Sequence, residues 1–291
     1  MVASADDAYE RESIAELKRA AVVFEQLSSA EMEIRWPQIN FDDVRWGIFE
    51  PQSGYLDARA SCEAVAEAFL KAGGEYRQAE VSSSFLEESP VRGINLSDGS
   101  SLSADAYVFA CGPWLGNLFP KAVGSLIAPT KQDVFFFGPP ASDAATFSAA
   151  HLPVWGDHGE RFFYGIPGCD RRGFKVADDT RGPGFDPTHG ERSVSPENLQ
   201  RVREYVGMRF PALKDAPLLE TRVCQYEQTP DGDFIVDRHP KNENIWLLGG
   251  GSGHGFKHGP AIGEIMAKLI LDGSEAEPRW KLSRFGRGEK R

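Results

Sequence analysis

A glycine-rich turn near residue 250 combines residue types that bind anions. Residues 249–260 read GGGSGHGFKHGP, between an apolar stretch that predicts a strand and a segment, 262–270, whose apolar residues recur at helical spacing. Glycines let the backbone approach a ligand, and the N–H groups and positive dipole end of a helix start favour negative charge. Lys257 adds a cation. The turn predicts a site for a flat or anionic ligand, and a tight loop whose glycines only permit packing is the alternative.

The spacing in this turn excludes several other chemical motifs. The nucleophile elbow G-x-S-x-G needs a glycine where His254 stands, and a P-loop needs a glycine directly before Lys257, where Phe256 stands. His254 and His258 lack the acid of the H-E-x-x-H zinc motif, so we predict no metal. The fingerprint G-x-G-x-x-G does not occur, so the sequence alone does not predict a complete dinucleotide-binding unit.

The composition is that of a globular chain with room for two domains. It has 291 residues, of which 41% are hydrophobic and 26% are charged, and its net charge is −11. A negative chain repels nucleic acid and anionic lipid, so we expect a small ligand and no nucleic-acid or membrane partner. No apolar run nears the ~18 residues of a membrane span, and we expect no export signal at the N-terminus.

The spacing of the cysteines indicates the cellular compartment, and the charges at the C-terminal end indicate how that end is placed. The cysteines lie far apart without a C-x-x-C pair, which favours a reducing, cytoplasmic location over a disulfide framework. They are Cys62, Cys111, Cys169 and Cys224. Residues 276–291 form a tail rich in Lys and Arg. We expect this basic tail to be solvated and to lie against the acidic body of the protein.

The first part of the chain predicts helices and one strand. Ser4 and Asp7 form a capping pattern before a helix that is expected to continue to Leu27. A second capping box begins a short helix within residues 28–37. Residues 46–49 are expected to form a strand.

Residues 57–111 predict a helix, a strand and a hairpin. Asp57 caps a helix through Lys71. This helix is expected to bury one apolar face, which consists of Val65, Ala68, Phe69 and Ala72. A strand is expected at 80–81 and hairpin strands within 92–111, of which the apolar run 107–111 is expected to be buried on both faces.

The pattern of predicted secondary structure changes after residue 129. Short strands are expected at 134–137, 162–166 and 173–176, and one helix is expected to begin at Ser195. This pattern is typical of an antiparallel sheet domain inserted into an α/β part. Strands at 234–236 and 245–248, followed by the helix that ends at Gly273, then complete the α/β part.

Six segments together resemble the FAD-dependent amine and amino-acid oxidoreductases of the D-amino-acid oxidase type, most closely the monomeric sarcosine oxidase group. The strongest are CQY at 224–226, TPDGDFIVD at 229–237 and SGHGFK at 252–257. The weaker ones are FEPQSG at 49–54, ACGPW at 110–114 and GFK at 173–175. The resemblance extends from residue 31 to residue 273.

This resemblance implies FAD as the cofactor. In the sarcosine oxidase group, a cysteine at the position of Cys224 carries the flavin through a thioether, which implies covalent FAD here. The backbone at Val81 and Gly112 matches further cofactor contacts. The remaining implied cofactor contacts lie in the glycine-rich turn and are Gly250, Gly251, Gly253, Gly255, Phe256 and Lys257.

The resemblance also implies residues that handle substrate and oxygen. The counterpart of Lys257 clamps the substrate carboxylate, and the counterpart of Lys175 promotes the reaction with O₂. Tyr226 and His254 match positions of the substrate pocket. Asp179 stands where sarcosine oxidases have a pocket histidine, which favours a different or more cationic substrate than sarcosine.

Each of these residue types also has an ordinary structural explanation. Cys224 is alternatively a buried core cysteine, and Lys175 a solvated lysine on a strand. Tyr226 and His254 are alternatively amphipathic core residues whose polar tips are satisfied. The sequence alone leaves these alternatives open.

The implied fold is α/β (α+β), with an incomplete Rossmann-like FAD-binding domain and an inserted substrate domain built on a mixed, antiparallel sheet. We expect the FAD-binding domain at 54–127 and 223–275, and the substrate-binding domain at 1–53 and 128–222. Related proteins begin with a βαβ unit that holds the ADP half of FAD, and we expect this chain to lack that unit.

Two functions follow from these expectations. The first is an FAD-dependent oxidoreductase that oxidises the C–N bond of a secondary amine or amino acid by hydride transfer to flavin, with O₂ or another acceptor. The second is a non-catalytic truncated fragment, or one subunit of a split flavoprotein whose partner is a separate N-terminal FAD-binding segment. A pure binding or scaffold module has only the basic tail in its favour.

Overall fold

The chain forms two compact units. The computed structural model describes residues 2–3, 8–82, 91–168 and 172–286. Unit 1 comprises Met1–Tyr55, Lys131–Gly182 and Glu191–Cys224, and unit 2 comprises Leu56–Thr130, Pro183–Gly190 and Gln225–Arg291. The expected capping pattern at Ser4 and Asp7, and Cys169, lie outside the described residues.

Several of the described helices begin where the sequence supplies a side-chain cap. Within the described residues the helices are α1 (Ala8–Arg19), α2 (Ser29–Arg35), α3 (Ala58–Lys71), α4 (Leu115–Leu118), α5 (Pro196–Arg209) and α6 (Gly259–Leu271). The capping box before α2 is confirmed, since Ser28 Oγ accepts the N–H of Glu31 and Glu31 accepts the N–H of Ser28 at 2.8 Å. Asp57 caps α3 by accepting the N–H of Ala60 at 3.0 Å. None of the described helices is both long and apolar enough to cross a membrane.

The strands form one large sheet and two small ones. They are β1 (Val2–Ala3), β2 (Glu25–Ser28), β3 (Trp46–Phe49), β4 (Ile94–Asn95), β5 (Ser101–Leu102), β6 (Tyr107–Phe109), β7 (Ala128–Phe137), β8 (Trp155–His158), β9 (Phe162–Ile166), β10 (Phe174–Asp178), β11 (Leu218–Gln228), β12 (Ile235–His239) and β13 (Asn242–Gly249). The large sheet has the strand order β11-β7-β10-β9-β8-β1-β3-β2. Among the described residues the pair β1 and β8 is parallel, whereas β1–β3, β2–β3, β7–β10, β8–β9 and β9–β10 are antiparallel, so the expected mixed, mainly antiparallel sheet is confirmed.

The core of unit 1 lies on one face of this large sheet. Buried residues of β7 and β10, such as Phe135 and Phe174, pack in one cluster with Val202 and Val206 of α5. Because side chains alternate along a strand, the intervening residues point to the opposite face. A smaller cluster there joins Phe136 to its neighbours on β7, β9 and β10.

Unit 2 contains a three-stranded sheet that is covered on both faces. Its order is β12-β13-β6, with β12 and β13 antiparallel and β13 and β6 parallel. Ile235 and Leu247 face one cluster with α4, whereas Val236 and Trp246 face another cluster with α6. This layering of helix, sheet and helix is the α/β arrangement that the sequence predicts.

Two expectations about helices were wrong. The first helix does not reach Leu27, because α1 ends at Arg19, Ala21 adopts a left-handed φ of +54°, and β2 begins at Glu25. The second error concerns the apolar face expected to be buried on α3. That face is exposed in the described structure, where Val65 is 65% and Phe69 50% accessible, and Ala68 and Ala72 are also exposed. Helical spacing predicts an amphipathic face, but it does not supply the surface that covers that face.

Two strand predictions also need correction. Residues 80–81 form no strand, and Val81 makes only an isolated bridge to Leu96. The run 107–111 is not buried on both faces, since Val108 of β6 is 42% exposed. Within the described residues β6 pairs only with β13, which leaves it at the edge of its sheet.

The described part of the basic tail is not simply solvated. Arg279 pairs with Asp233, Lys281 with Glu275 and Arg284 with Asp231. The expected placement of the tail against the acidic body is confirmed for these residues, because an acidic turn at 231–233 supplies their partners. Arg284, however, is not solvated as expected, since only 12% of its side chain is exposed. Residues 287–291 lie outside the described residues.

Candidate functional site

The glycine-rich loop follows β13 and leads into α6, as the sequence predicts. A short 3₁₀ turn, Phe256–His258, precedes α6, and Pro260 lies in the first turn of that helix. Among the described residues no side chain caps the start of α6. His254, Phe256 and Lys257 are exposed. The loop thus presents a cation and the positive end of a helix to the surface.

The glycines of this loop are also needed for packing within unit 2. A Cβ on Gly250, whose φ is +75°, would lie 2.7 Å from a methyl of Thr229. A Cβ on Gly253, whose φ is +88°, would lie 2.4 Å from the ring of Tyr226. The packing explanation of these glycines therefore holds in the structure, and their contact with a ligand stays a prediction.

The turn after β11 is hydrogen-bonded to the glycine-rich loop. Ser252 has a left-handed φ of +46°, and its Oγ accepts the N–H of Thr229 at 3.2 Å and donates to the carbonyl of Gly250 at 3.2 Å. The His254 ring bonds the carbonyl of Gly232 at 3.1 Å through Nε2. These bonds hold the middle of the loop on the 229–233 turn.

Glu227 places a carboxylate directly under the glycines. Its Oε1 accepts the N–H of Gly251 at 3.1 Å, whereas its Oε2 is buried without a hydrogen-bond partner among the described residues. Burial raises the pKa of Glu227, and the N–H groups of Gly250 and Gly251 partly oppose this shift. Burial, with the Glu227 charge, also raises the pKa of Cys111. No motif of the sequence analysis pointed to Glu227.

Unit 1 brings together three predicted residues on its large sheet. Lys175 lies in β10 opposite Phe136 of β7 and Ile166 of β9, and it is half-buried with Nζ 5.1 Å from the Tyr164 ring centre. The alternative of a solvated strand lysine is therefore wrong. Asp179 follows β10 and donates its N–H to the carbonyl of Phe162 at 2.7 Å.

Cys224 lies on β11 within electrostatic range of these two residues. Its side chain is exposed, so the alternative of a buried core cysteine is wrong. Shielding by neighbouring protein atoms nevertheless raises its pKa, Asp179 adds to this shift, and the charges of Lys175 and Arg222 oppose it. The Cys224 side chain is therefore mainly a thiol at neutral pH.

The remaining predicted residues lie in unit 2. Tyr226 is half-buried over Gly253, and Val81 is half-buried beside the cluster of β6. Gly112 has a φ of +54°, and no described atom lies within 4 Å of the position its Cβ would take. The structure thus places Lys175, Asp179 and Cys224 together in unit 1, and it places the other predicted site residues in unit 2.

Comparison with known proteins identifies the family. The model of the DAO family, FAD dependent oxidoreductase, matches residues 1–269, so the chain belongs to this family. Monomeric sarcosine oxidase of Bacillus sp. (strain NS-129) is 30% identical over 254 residues, covering 86% of this chain and 64% of that protein. Peroxisomal sarcosine oxidase of Homo sapiens is 28% identical over 278 residues, covering 93% of this chain and 69% of that protein. The chain thus spans about two thirds of the length of these relatives.

Solved structures share the fold. L-proline dehydrogenase from P. horikoshii matches with a TM-score of 0.82 and 22% identity, covering 100% of this chain and 76% of that one. Glycine oxidase from Bacillus cereus ATCC 14579 matches with a TM-score of 0.75 and 22% identity, covering 94% of this chain and 72% of that one. At this identity the likeness shows an FAD-dependent oxidoreductase fold.

The residues of unit 2 fit a flavin. A flavin has an electron-rich pyrimidine edge, and the uncapped start of α6 with Lys257 beside it offers positive charge to such a group. Gly112 offers backbone without a side chain, and the space beside it is open in the described structure. These residues would hold the cofactor by backbone N–H groups and one cation.

Proposed function

We propose that this chain supplies the larger part of an FAD-dependent oxidoreductase that oxidises the C–N bond of a secondary amine or amino acid. The observation that carries the proposal is the exposed Lys257 on an uncapped helix start, within a chain of the FAD dependent oxidoreductase family. By their names, the relatives act on sarcosine and glycine, which are small amino acids. Sarcosine is also a secondary amine, which gives the substrate class.

The roles of the unit 2 residues follow from charge and exposure. Lys257 would bind the carboxylate of an amino acid, and the N–H groups at the start of α6 would add to that attraction. Tyr226 would border the substrate with its ring, which Gly253 lets lie close to the loop. His254 would keep its ring fixed on Gly232 while facing the ligand with its edge.

The roles of the unit 1 residues follow from the chemistry of their side chains. Asp179 would attract a cationic group, which favours substrates more basic than sarcosine. Cys224 would form the covalent bond to FAD, and Lys175 would attract the negative charge that develops when O₂ is the acceptor. FAD, when bound, would accept two electrons as a hydride from the carbon next to the amine nitrogen. With loss of the proton on that nitrogen the substrate becomes an imine, which water hydrolyses to a carbonyl compound and an amine.

Acid precipitation of the purified chain tests the cofactor. We expect a yellow pellet from the wild type, and flavin released to the supernatant from Cys224→Ala. Cys62→Ala is the matched control, because Cys62 is an exposed cysteine on α3. Wild-type flavin in the supernatant would contradict only the covalent bond. A chain that stays colourless after incubation with FAD, and with the partner described below, would contradict the cofactor.

Substitution of Lys257 tests the carboxylate role. We expect Lys257→Met to raise KM for amino-acid substrates about 10- to 100-fold, the effect of one charge-assisted hydrogen bond. KM for the matching amines without a carboxylate should stay unchanged. An equal rise for both kinds of substrate would contradict the role. Lys268→Met is a control on α6, the helix that follows Lys257, since Lys268 pairs with Glu264 on an exposed face.

One observation favours a second candidate, a subunit of a split flavoprotein. Apolar side chains of α3 and its flanks are exposed in unit 2, namely Leu56, Val65, Phe69, Leu70 and Tyr76. Exposed apolar faces and unpaired strand edges are typical of surfaces that another segment covers. We would co-express the chain with a separate dinucleotide-binding segment and measure co-purification. Retention of the segment by wild type, but not by a Val65→Asp, Phe69→Asp variant, would support this candidate, and no retention would contradict it.

A further inference from the structure

We propose that residues 278–285, which follow α6, are a positioning brace that fixes the shape of the glycine-rich loop. The first contact of this C-terminal brace is the bidentate ion pair of Arg284 with Asp231. Its Nε donates to Asp231 Oδ2 at 2.7 Å and its Nη2 to Asp231 Oδ1 at 3.1 Å. The same Nη2 donates to the carbonyl of Asp233 at 3.1 Å. One guanidinium thus fixes both ends of the 231–233 turn.

Three further contacts attach the brace to the same region. Arg279 pairs with the carboxylate of Asp233 at 2.5 Å. The N–H of Leu282 donates to Asp237 Oδ2 at 2.8 Å. The Trp280 ring meets the edge of the Phe234 ring, with 6.1 Å between ring centres. The brace therefore contacts the turn by ion pairs, by backbone and by aromatic packing.

The braced turn in turn holds the loop. Thr229 Oγ1 donates to the carbonyl of Asp233 at 2.8 Å, and the N–H of Thr229 donates to Ser252 Oγ. His254 bonds the carbonyl of Gly232, which lies between the two aspartates that the brace grips. Phe234 packs edge-on against His254, with 5.7 Å between ring centres. A short path of contacts thus leads from Arg284 through the turn to the loop.

The pair of Arg284 with Asp231 differs from ordinary surface pairs, which contribute little. Arg284 is only 12% exposed, and its guanidinium makes three hydrogen bonds to the 231–233 turn and a fourth to the carbonyl of Lys281 at 3.5 Å. The Arg284 guanidinium also holds the pKa of Asp231 below its ordinary range, so the pair stays charged at neutral pH. The loop that it supports has exposed side chains at His254, Phe256 and Lys257 and draws little order from apolar burial.

The brace explains why positive charge gathers after α6. Each of its two described arginines faces one aspartate of the 231–233 turn. Arg279 and Arg284 are therefore positioning residues, since they act on the loop through the turn. The inference rests on the proposed function only in taking this loop as the ligand-binding one.

Amide hydrogen exchange of the full-length chain without ligand tests the brace. We expect Arg284→Gln and Asp231→Asn each to speed exchange in residues 249–258 by about tenfold, and to leave the core strands of unit 2 unchanged. Arg284→Lys should restore part of the protection. Arg35→Gln is the matched control, because it removes an exposed pair with Glu25 in unit 1. Unchanged loop exchange in both brace variants would overturn the proposal, and so would a uniform rise throughout unit 2.

Salt gives a second test. In wild type, 1 M NaCl, in which the screening length is about 3 Å, should weaken the exposed ion pair of Arg279 with Asp233 and so speed exchange in the loop, and in Arg279→Gln the same salt should add little. An equal effect of salt on both proteins would contradict the brace. Neither test needs FAD, so a failed flavin measurement and a failed brace measurement remain distinguishable.

Discussion

Lys175 in unit 1 and Lys257 in unit 2 are two lysines to which the sequence assigned roles, and the chain positions them differently. Lys175 lies on β10, a strand paired on both sides, whose opposite face packs Phe174 and Val176 into an aromatic core. Lys257 lies in an exposed loop that depends on left-handed residues, side-chain hydrogen bonds and the C-terminal brace. A sheet position is thus fixed by many apolar contacts, and the loop position by a few polar ones.

This difference predicts where each unit is sensitive to substitution. Unit 1 should lose global stability when a buried group is left without its partner. Unit 2 should lose local order in the loop while its core remains folded. Three substitutions test this contrast, from the largest expected effect to the smallest.

The largest effect is expected from Arg209→Leu in unit 1. Arg209 is buried and bonds Asp157, which is also buried, at 2.9 Å. Removing the guanidinium leaves the Asp157 charge with the hydroxyl of Tyr205 as its remaining side-chain donor among the described residues. We expect the free energy of unfolding to fall by about 3–5 kcal/mol, measured by urea denaturation.

Arg35→Gln again supplies the control for this comparison. The pair of Arg35 with Glu25 is exposed, with side-chain exposures of 39% and 41%, so its loss should cost less than about 1 kcal/mol. Similar losses for Arg209→Leu and Arg35→Gln would show that unit 1 does not depend on its buried charges.

An intermediate, local effect is expected from Gly253→Ala in unit 2. Alanine there meets both a φ of +88° and the Tyr226 ring at 2.4 Å. Gly73→Ala is a matched control, because Gly73 has a φ of +90° and nothing within 4 Å among the described residues. The control should lose about 1–2 kcal/mol from backbone strain alone. Gly253→Ala should lose more and expose the loop to limited proteolysis. Equal losses would show that Tyr226 moves aside freely.

The smallest effect at neutral pH is expected from Glu227→Gln, and it should depend on pH. The pKa of Glu227 is raised in the folded chain, so the folded chain binds this proton more tightly than the unfolded chain. Stability therefore falls as the pH rises above the ordinary carboxyl range. Glutamine does not titrate, so the free energy of unfolding of the variant should increase relative to that of wild type as the pH rises, by on the order of 1 kcal/mol. Thermal denaturation between about pH 4 and 8 measures this.

Glu264→Gln on α6 provides a control of opposite sign. The hydrogen bond and charge of Lys268 lower the pKa of Glu264, so this carboxylate stabilises the fold more as the pH rises. The free energy of unfolding of the Glu264→Gln variant should therefore decrease relative to that of wild type as the pH rises. A pH-independent difference for Glu227→Gln would show that its carboxylate is not shielded from water.

The sequence predicted those parts of the fold that local chemistry determines. The capping box at Ser28, the Asp57 cap and the strands β9 and β10 all depend on residues close in the chain. The glycine-rich turn into α6 was predicted for the same reason, since a strand, glycines and Pro260 are adjacent. The family was recognised from motifs, and the match over residues 1–269 confirms it.

The sequence did not predict features that depend on distant partners. The apolar face of α3 looks like a core face, but burial depends on what other segments pack there. The basic tail looks solvated until the acidic turn 45 to 55 residues earlier in the chain folds beside it. Glu227 had no visible signal, because its importance comes from Gly251 on a later loop, 24 residues away.

Ser252 has a consequence for the glycine-rich loop as a whole. A non-glycine residue in the left-handed region costs about 1–2 kcal/mol, and here its hydroxyl bonds to Thr229 and Gly250 offset that cost. Serine also gives the unfolded chain fewer conformations than glycine would, which is worth about 0.4–1 kcal/mol. The serine divides the glycines into two short groups, Gly249 to Gly251 and Gly253 with Gly255. The loop therefore has less conformational entropy to lose on binding a ligand than its glycine content implies.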